Sequence, residues 1–333
     1  MLSETIDLHM NEMPYPPPEH VLEAAREALT KLNRYADPEE MGRLRELLAQ
    51  YAGVPPRYLV LSPGSDLLLR EIIHTFSQGR KVVTVSPSFF PTVQAVKQFA
   101  PRRLSMRLSP PTFDLERDLM MDALDEPSLL IVDNPNNPTG RMLLDRRMVE
   151  AIAERRDVFF VIDEAYYEFS GTTFADMVAD CPRLAIIRTM DKAFSLAGAR
   201  IGYAIAGEVF LDAISDFYPF LPRPSLYAAM AALRNSGYMR ENVRQIVEER
   251  ERLQQALCEG DEGDLLGTRV YPSNTNFLLV RTKVPDVARR LREAGVLVSD
   301  MSRQLPPGFI RVSVGTPEEN DAFLAAYKSL LIQ

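Results

Sequence analysis

The chain has 333 residues, 46% hydrophobic and 25% charged, which fits a globular protein with one large core and a smaller one. A formal net charge of -8, with acids and bases interleaved as in "RQIVEERERLQQAL", argues against a nucleic-acid backbone as the main partner. Two distant cysteines (Cys181, Cys258) and three scattered histidines (His9, His20, His74) form no disulfide framework and no metal-ligand spacing, so a reducing, cytoplasmic setting without a metal is expected.

In chain order, the first 18 residues lack the basic start and apolar core of a secretion signal and end in a proline-rich turn. A helix is predicted over about 19–33, with Val21, Leu22, Ala25, Ala28, Leu29 and Leu32 on one side. After the "RYADP" turn a second helical pattern follows, "MGRLRELLAQYAGV". Strands then alternate with helices. The predicted strands are 58–62, 81–86, 102–108, 129–135, 158–166, 184–189 and 202–206. Several are continuous apolar runs, as expected for strands covered on both faces, and the helical stretches between them imply a largely parallel sheet. No apolar run approaches the roughly 18 residues of a membrane span.

Past about residue 225 the texture changes. A long polar-faced helix (about 238–258) leads into "YPSNTNFLLVR", a helix "VPDVARRLREAG", the strands "VLVSD" and "FIRVSVG", and a last helix. That helix opens on Thr316, Pro317 and Glu319, which suit N-cap, first turn and capping box. The expected class is therefore α/β: a large domain with a mainly parallel seven-stranded sheet between helices, plus a small α+β C-terminal domain of two strand pairs. The boundaries fall at 1–33 for an N-terminal arm and helix, 34–237 for the large domain and 238–333 for the small one.

In open parallel sheets ligands bind beyond the carboxyl ends of the strands. Four such ends here are polar: "SPGSD", "DNPNNPTG", "DEAYYEF" and "RTMDKAF". Each alone has an ordinary explanation. Gly64, Ser65 and Asp66 could present amides to a phosphate or simply cap a helix. The asparagines of "NPNNPTG" could only stabilise a turn. Asp163, behind the apolar "FFVI", needs a cationic or hydrogen-bonding partner if buried, and a structural salt bridge would serve. Lys192 is one of six lysines among 38 basic residues. It is followed eight positions later by Arg200, amid small residues. Together, a phosphate-suited helix start, an asparagine, a buried carboxylate with a tyrosine three residues on, and a lysine with an arginine eight on are more telling. Neither G-x-G-x-x-G nor G-x-x-x-x-G-K-[ST] occurs, and no nucleophile elbow is present.

In this order of motifs the sequence resembles the class I/II aminotransferases, pyridoxal-phosphate enzymes of fold type I, and within them the histidinol-phosphate aminotransferase group. The resemblance runs from "NEMPYPPP" through "LNRYADP", "LSPGSD", "PSFFPT", "NPNNPTG", "DEAYYEF", "KAFSLAGARIGY" and "SNTNFLLV" to "IRVSVGTPEEN". It implies that Lys192 bonds the cofactor and shuttles a proton, and that Asp163 pairs with the pyridinium nitrogen. Asn137 and Tyr166 would hydrogen-bond the ring's phenolic oxygen, and Phe89 would stack on the ring. Gly64, Ser65, Asp66, Thr189 and Arg200 would hold the phosphate, joined by Tyr35 of a neighbouring subunit in a homodimer with shared sites. Arg311, with Asn137 and with Tyr15 of the N-terminal loop, would face the substrate. The implied reaction moves an amino group from an amino acid or a histidinol-phosphate-like donor to a 2-oxo acid such as 2-oxoglutarate. The alternative is a lyase of the phosphothreonine decarboxylase type, which shares the motifs.

Three departures from the family stand out, at four positions. Asp191 stands where a serine usually precedes the lysine, and its carboxylate is expected to point to solvent. Ser299, in "VSD", takes the place of an arginine that helps hold a substrate phosphate, a loss of roughly 1.5–3 kcal/mol that Arg303 could offset from the next turn. Met13 and Pro16 alter the loop that covers the substrate.

Overall fold

The structure is a computed structural model that describes residues 5–214, 220–258 and 267–331. Twelve strands in these residues form two sheets. They are β1 (Ile6–Leu8), β2 (Leu59–Ser62), β3 (Lys81–Ser86), β4 (Arg103–Arg107), β5 (Ser128–Asp133), β6 (Val158–Asp163), β7 (Leu184–Thr189), β8 (Gly202–Ala206), β9 (Arg269–Tyr271), β10 (Phe277–Arg281), β11 (Val296–Asp300) and β12 (Phe309–Ser313). The seven-stranded sheet has the order β2-β8-β7-β6-β5-β3-β4, and β8 alone among these strands runs antiparallel to its neighbours.

Every residue of β5, β6 and β7 is buried. Successive side chains point to opposite faces of a sheet. Accordingly Leu130, Val132, Phe160 and Ile162 enter one core cluster, while Leu129, Ile131, Phe159 and Val161 enter another. Two buried faces are why these runs read as continuously apolar. The edge strand β4 is different, mostly exposed and bounded by Arg103 and Arg107, charges that discourage pairing with another chain.

The second sheet has the order β1-β11-β12-β10-β9. Its last four strands are the expected C-terminal ones, with antiparallel ladders. The fifth, β1, is absent from the sequence pattern. It comes from the N-terminal segment and pairs parallel with β11, Ile6 opposite Val296. Three residues are too few to show a period.

Four helices matter for the site: α1 (Glu19–Ala28), α2 (Pro38–Ala52), α3 (Ser65–Phe76) and α4 (Phe90–Phe99). The first is shorter than expected, tightening to a 3₁₀ turn at Leu29–Lys31. Leu29 and Leu32, expected on the buried stripe, are 50% and 66% exposed. The cause lies in Arg223, on the helix Arg223–Arg234. Its guanidinium is buried, bonds Glu40 at 2.9 and 3.1 Å, and donates to the carbonyls of Lys31 (3.3 Å) and Tyr35 (2.7 Å). Carbonyls turned toward Arg223 cannot continue a helix. The Asp37–Glu40 capping box then starts α2, and the Thr316–Glu319 box starts the last helix as expected.

A buried ion pair braces the centre of the larger sheet. Arg188 of β7 and Glu164, just after β6, are 2% and 0% exposed. Arg188 donates through Nε (3.1 Å) and Nη2 (3.0 Å) to Glu164 Oε2 and lies 3.7 Å from the centroid of the Tyr167 ring. Glu164 also accepts from Thr173 Oγ1 and the Phe174 amide, both at 2.7 Å.

Candidate active site

The register of the sheet brings the polar strand ends to one place. Asp133, at the end of β5, is paired with Asp163, at the end of β6. Thr189, at the end of β7, faces Gly202, which in turn faces Ser62 at the end of β2. A cavity of about 620 Å³ opens above them, and residues of the second sheet close its far side.

Asp133 organises the floor. Its Oδ1 accepts from Ser88 Oγ (3.0 Å) and Asn136 Nδ2 (2.9 Å), and its Oδ2 from the amides of Phe89 (3.2 Å) and Asn137 (2.9 Å). One carboxylate thus fixes both the turn carrying Phe89 and the turn carrying Asn137. Sequence reasoning did not select it, although it ends an apolar strand just as Asp163 does. Asp163 is less well served. Among the described residues its carboxylate accepts one hydrogen bond, from the Ala165 amide at 3.1 Å. Burial first, then the nearby Asp133, pushes its carboxyl up to about 7. A cation placed in the cavity against Asp163 would relieve that cost.

Asn137 joins the two sides of the cavity. Arg311 of β12 has only donors, so its Nη1 must meet Asn137 Oδ1, at 2.7 Å, which leaves Asn137 Nδ2 to donate to Tyr166 Oη at 3.3 Å. Tyr166 Oη also accepts from Asn11 Nδ2 at 2.9 Å. With two donors already on that oxygen, the hydroxyl hydrogen has no acceptor among the described residues and is available to a ligand.

Asn11 has no sequence signal, yet it knits the N-terminal arm into the site. Its φ is 55°, its amide donates to Ser313 Oγ (2.8 Å), and its carbonyl accepts from Asn276 Nδ2 (3.0 Å). Lys192 reaches the same arm, its Nζ donating to Met10 O at 3.2 Å. Burial lowers the Lys192 ammonium to about 8, with Arg311 and Arg200 adding to the effect and Asp191 opposing it. The amine is therefore largely neutral at mildly alkaline pH, the form that can attack a carbonyl or take a proton.

At the other end of the cavity lies the start of α3. Gly64 caps it with φ 109°, and Ser65 and Asp66 open it. Gly202 packs so tightly here that a Cβ would run into the Ser65 amide nitrogen and the Gly64 carbonyl carbon. Only glycine keeps this helix end open toward the sheet. Arg200, in the left-handed region at φ 54°, joins Asp66 to Asp191. Asp191 was expected in solvent and is instead 7% exposed, facing Arg200. Its amide donates to Thr189 Oγ1 at 3.0 Å, which turns the side chain inward.

Ser65, Asp66, Phe89, Asn137, Asp163, Tyr166, Thr189, Lys192, Arg200 and Arg311 all line the cavity. Three of the expected residues, Gly64, Tyr15 and Tyr35, do not. Tyr15 packs half-buried against the core, where burial and then Glu249, Glu318 and Glu319 push its hydroxyl up. Tyr35 points outward, 80% exposed and stacked on Phe220 with centroids 5.0 Å apart. The wall nearest Arg311 comes from the end of β11 and the turn after it. Ser299 Oγ donates to His9 O (2.7 Å) and accepts from Arg311 Nη2 (3.1 Å), so this serine aims the arginine. Arg303, exposed at the mouth, lies 5.8 Å from the Phe90 ring centroid and has no carboxylate partner among the described residues.

The family model for aminotransferase class I and II matches residues 3–326. The chain belongs to the class I and II aminotransferases. It is 37% identical over 330 residues to a histidinol-phosphate aminotransferase of Sulfurisphaera tokodaii, covering 97% of this chain and 89% of the relative. The histidinol-phosphate aminotransferase of Sinorhizobium meliloti, solved with pyridoxal-5'-phosphate, superposes with a TM-score of 0.84 at 26% identity, covering 98% and 91% of the two chains. An L-threonine-O-3-phosphate decarboxylase of Porphyromonas gingivalis has a TM-score of 0.83 at 22% identity over 98% and 100%, a likeness of fold. As an aminotransferase of this family the protein uses pyridoxal phosphate and works on small molecules, an amino donor and a 2-oxo acid. The residues present fit that cofactor. An amine, a buried carboxylate short of partners, a hydroxyl hydrogen without an acceptor and an open helix start with an arginine surround one cavity.

Proposed function

We propose that this aminotransferase takes its amino group from a donor with a phosphate-bearing end, of the histidinol-phosphate kind, and passes it to a 2-oxo acid such as 2-oxoglutarate. The observation that carries this is the pair of guanidiniums on the donor side of the cavity, Arg311 aimed from within and Arg303 at the mouth. The similarity to the Sulfurisphaera tokodaii relative supports it.

Bound pyridoxal phosphate supplies an electron sink for the carbanion that forms at the donor's Cα. The chain does the rest. Lys192 Nζ is the amine that would hold the cofactor covalently and, with the donor bound, would take the proton from the donor's Cα and return it elsewhere. Asp163 holds a proton on the ring nitrogen, the cation its site is short of. Tyr166 and Asn137 donate to the ring oxygen, and Phe89, fixed by Asp133, covers one ring face. Ser65, Asp66, Thr189 and Arg200 seat the phosphate, where the α3 amides favour an anion. Arg311 grips an anionic end of each substrate, as guanidinium geometry allows.

Tyr35 serves a second copy of the chain. Arg223 holds its carbonyl while its ring stays exposed and stacked on the exposed Phe220, and such an exposed apolar pair supports a homodimer. Mixed dimers of Tyr35→Ala and Lys192→Ala chains should regain activity, because one of their two sites keeps both residues. No regain would refute the sharing. The free thiols of Cys181 and Cys258 are compatible with a cytoplasmic setting.

The test of the donor is a titration of the holoenzyme with histidinol phosphate in the absence of any acceptor. Stoichiometric appearance of pyridoxamine phosphate is expected; an unchanged spectrum would remove histidinol phosphate as a donor. Arg303→Ala should raise KM for this donor about tenfold, the worth of one charged hydrogen bond, and leave unphosphorylated amino acids little affected. Equal changes for both donor types would remove Arg303 from phosphate recognition.

A further inference from the structure

One guanidinium is shared between two acids in the corner that seats the cofactor phosphate. Arg200 Nη1 meets Asp191 Oδ2, and its Nη2 meets Asp66 Oδ1. The two acids differ in their access to water. The Asp66 side chain is 36% exposed and that of Asp191 only 9%. Asp191 Oδ1 is shielded and has no hydrogen-bond partner. Asp191 lines the same cavity as Ser65 and Arg200.

A phosphate monoester brings nearly two negative charges at pH 7, since its second pKa is about 6. Arg200 must turn some of its hydrogen-bonding capacity to that group. Asp66 can remain ionised because solvent reaches it. Asp191 would be left as a buried carboxylate with one bare oxygen beside an anion, the costliest of arrangements.

Taking that corner as the phosphate seat, we propose that Asp191 takes up a proton when the phosphate settles there, so that binding of the cofactor is coupled to protonation of this carboxylate. The bare Oδ1 then becomes a site from which a hydroxyl can donate, and repulsion is replaced by a hydrogen bond. The groups facing Asp191 are Asp66 on α3, Thr189 at the end of β7, Lys192 next in the chain and Arg200 before β8. Burial raises the Asp191 carboxyl and Asp66 adds to that, against the pull of Arg200, Lys192 and the Thr189 contact. Protonation is thus within reach once a second anion arrives.

The experiment uses pyridoxamine phosphate, which carries the phosphate but forms no bond to Lys192. Its binding to apoprotein prepared from the holoenzyme is followed by calorimetry from pH 6.5 to 8.5, in buffers of different ionisation heat that count the protons taken up. The parent protein, Asp191→Asn and Asp191→Ser are compared, with pyridoxamine as the control ligand lacking phosphate. The parent should take up close to one proton more than Asp191→Asn. Its affinity should fall up to about tenfold more per pH unit on the alkaline side, and Asp191→Ser should bind about tenfold more tightly than the parent at pH 8. With pyridoxamine these differences should vanish. Tight binding with equal proton counts and parallel pH curves in all three proteins would overturn the coupling alone. Failure of the parent to distinguish pyridoxamine phosphate from pyridoxamine would overturn the phosphate seat as well.

Discussion

Replacing Lys192 with alanine should lower kcat by about 10⁴-fold while leaving the fold intact. Among the described residues its side chain makes one hydrogen bond, from Nζ to Met10 O at 3.2 Å. Its removal therefore takes away the amine and little else. The check has two parts. Borohydride reduction of the holoenzyme should link the cofactor to the parent protein and not to the variant, and thermal unfolding of the two should agree to within a few degrees. A variant with more than a tenth of parental turnover would remove Lys192 from the chemistry.

The largest expected effect on stability comes from Arg188. Truncating it to alanine leaves Glu164 fully buried without its cation and stripped of two hydrogen bonds, which should destabilise the fold by about 3–5 kcal/mol. The damage would spread to the site, because Glu164 follows Asp163 directly and its amide donates to Ile187 O, 2.8 Å away on β7. We expect a large drop in the midpoint of chemical denaturation together with weakened cofactor retention. Arg188→Met combined with Glu164→Gln should recover much of the stability, since no charge then lacks a partner. If Arg188→Ala costs less than about 1 kcal/mol, the pair does not brace the sheet in the manner argued from its burial.

Much of the site was legible because chemistry and topology repeat one signal. Apolar runs marked the buried strands, and polar residues placed at their ends marked the cavity, so Asp163, Asn137, Lys192 and Arg200 could be picked out together. What the sequence hid is set by contacts across long separations. Nothing local distinguishes β1, whose partner lies some 290 positions away. Asn11 earns its place through Tyr166, Ser313 and Asn276, none of them near in sequence. The expectation for Asp191 failed because its direction depends on a hydrogen bond to Thr189 and on where Arg200 arrives. Leu29 and Leu32 followed the helical period faithfully, but the period ended early when Arg223 captured the carbonyls beyond it. Tyr15 sits in the expected loop, and its ring turns toward the core instead of the cavity.

The arm also imposes an order in time. Residues 6–11 are made some 290 positions before the strand and side chain they bind, Val296–Asp300 and Ser313. At about 5–20 residues per second the interval is roughly 15–60 s. The larger sheet can assemble in that time, with its strand ends already gathered around Asp133 and Asp163. The wall bearing Arg311 and the arm that Lys192 touches cannot. A nascent chain thus holds a half-built cavity, able to meet the cofactor from one side, until residues 296–313 emerge and the arm locks across it.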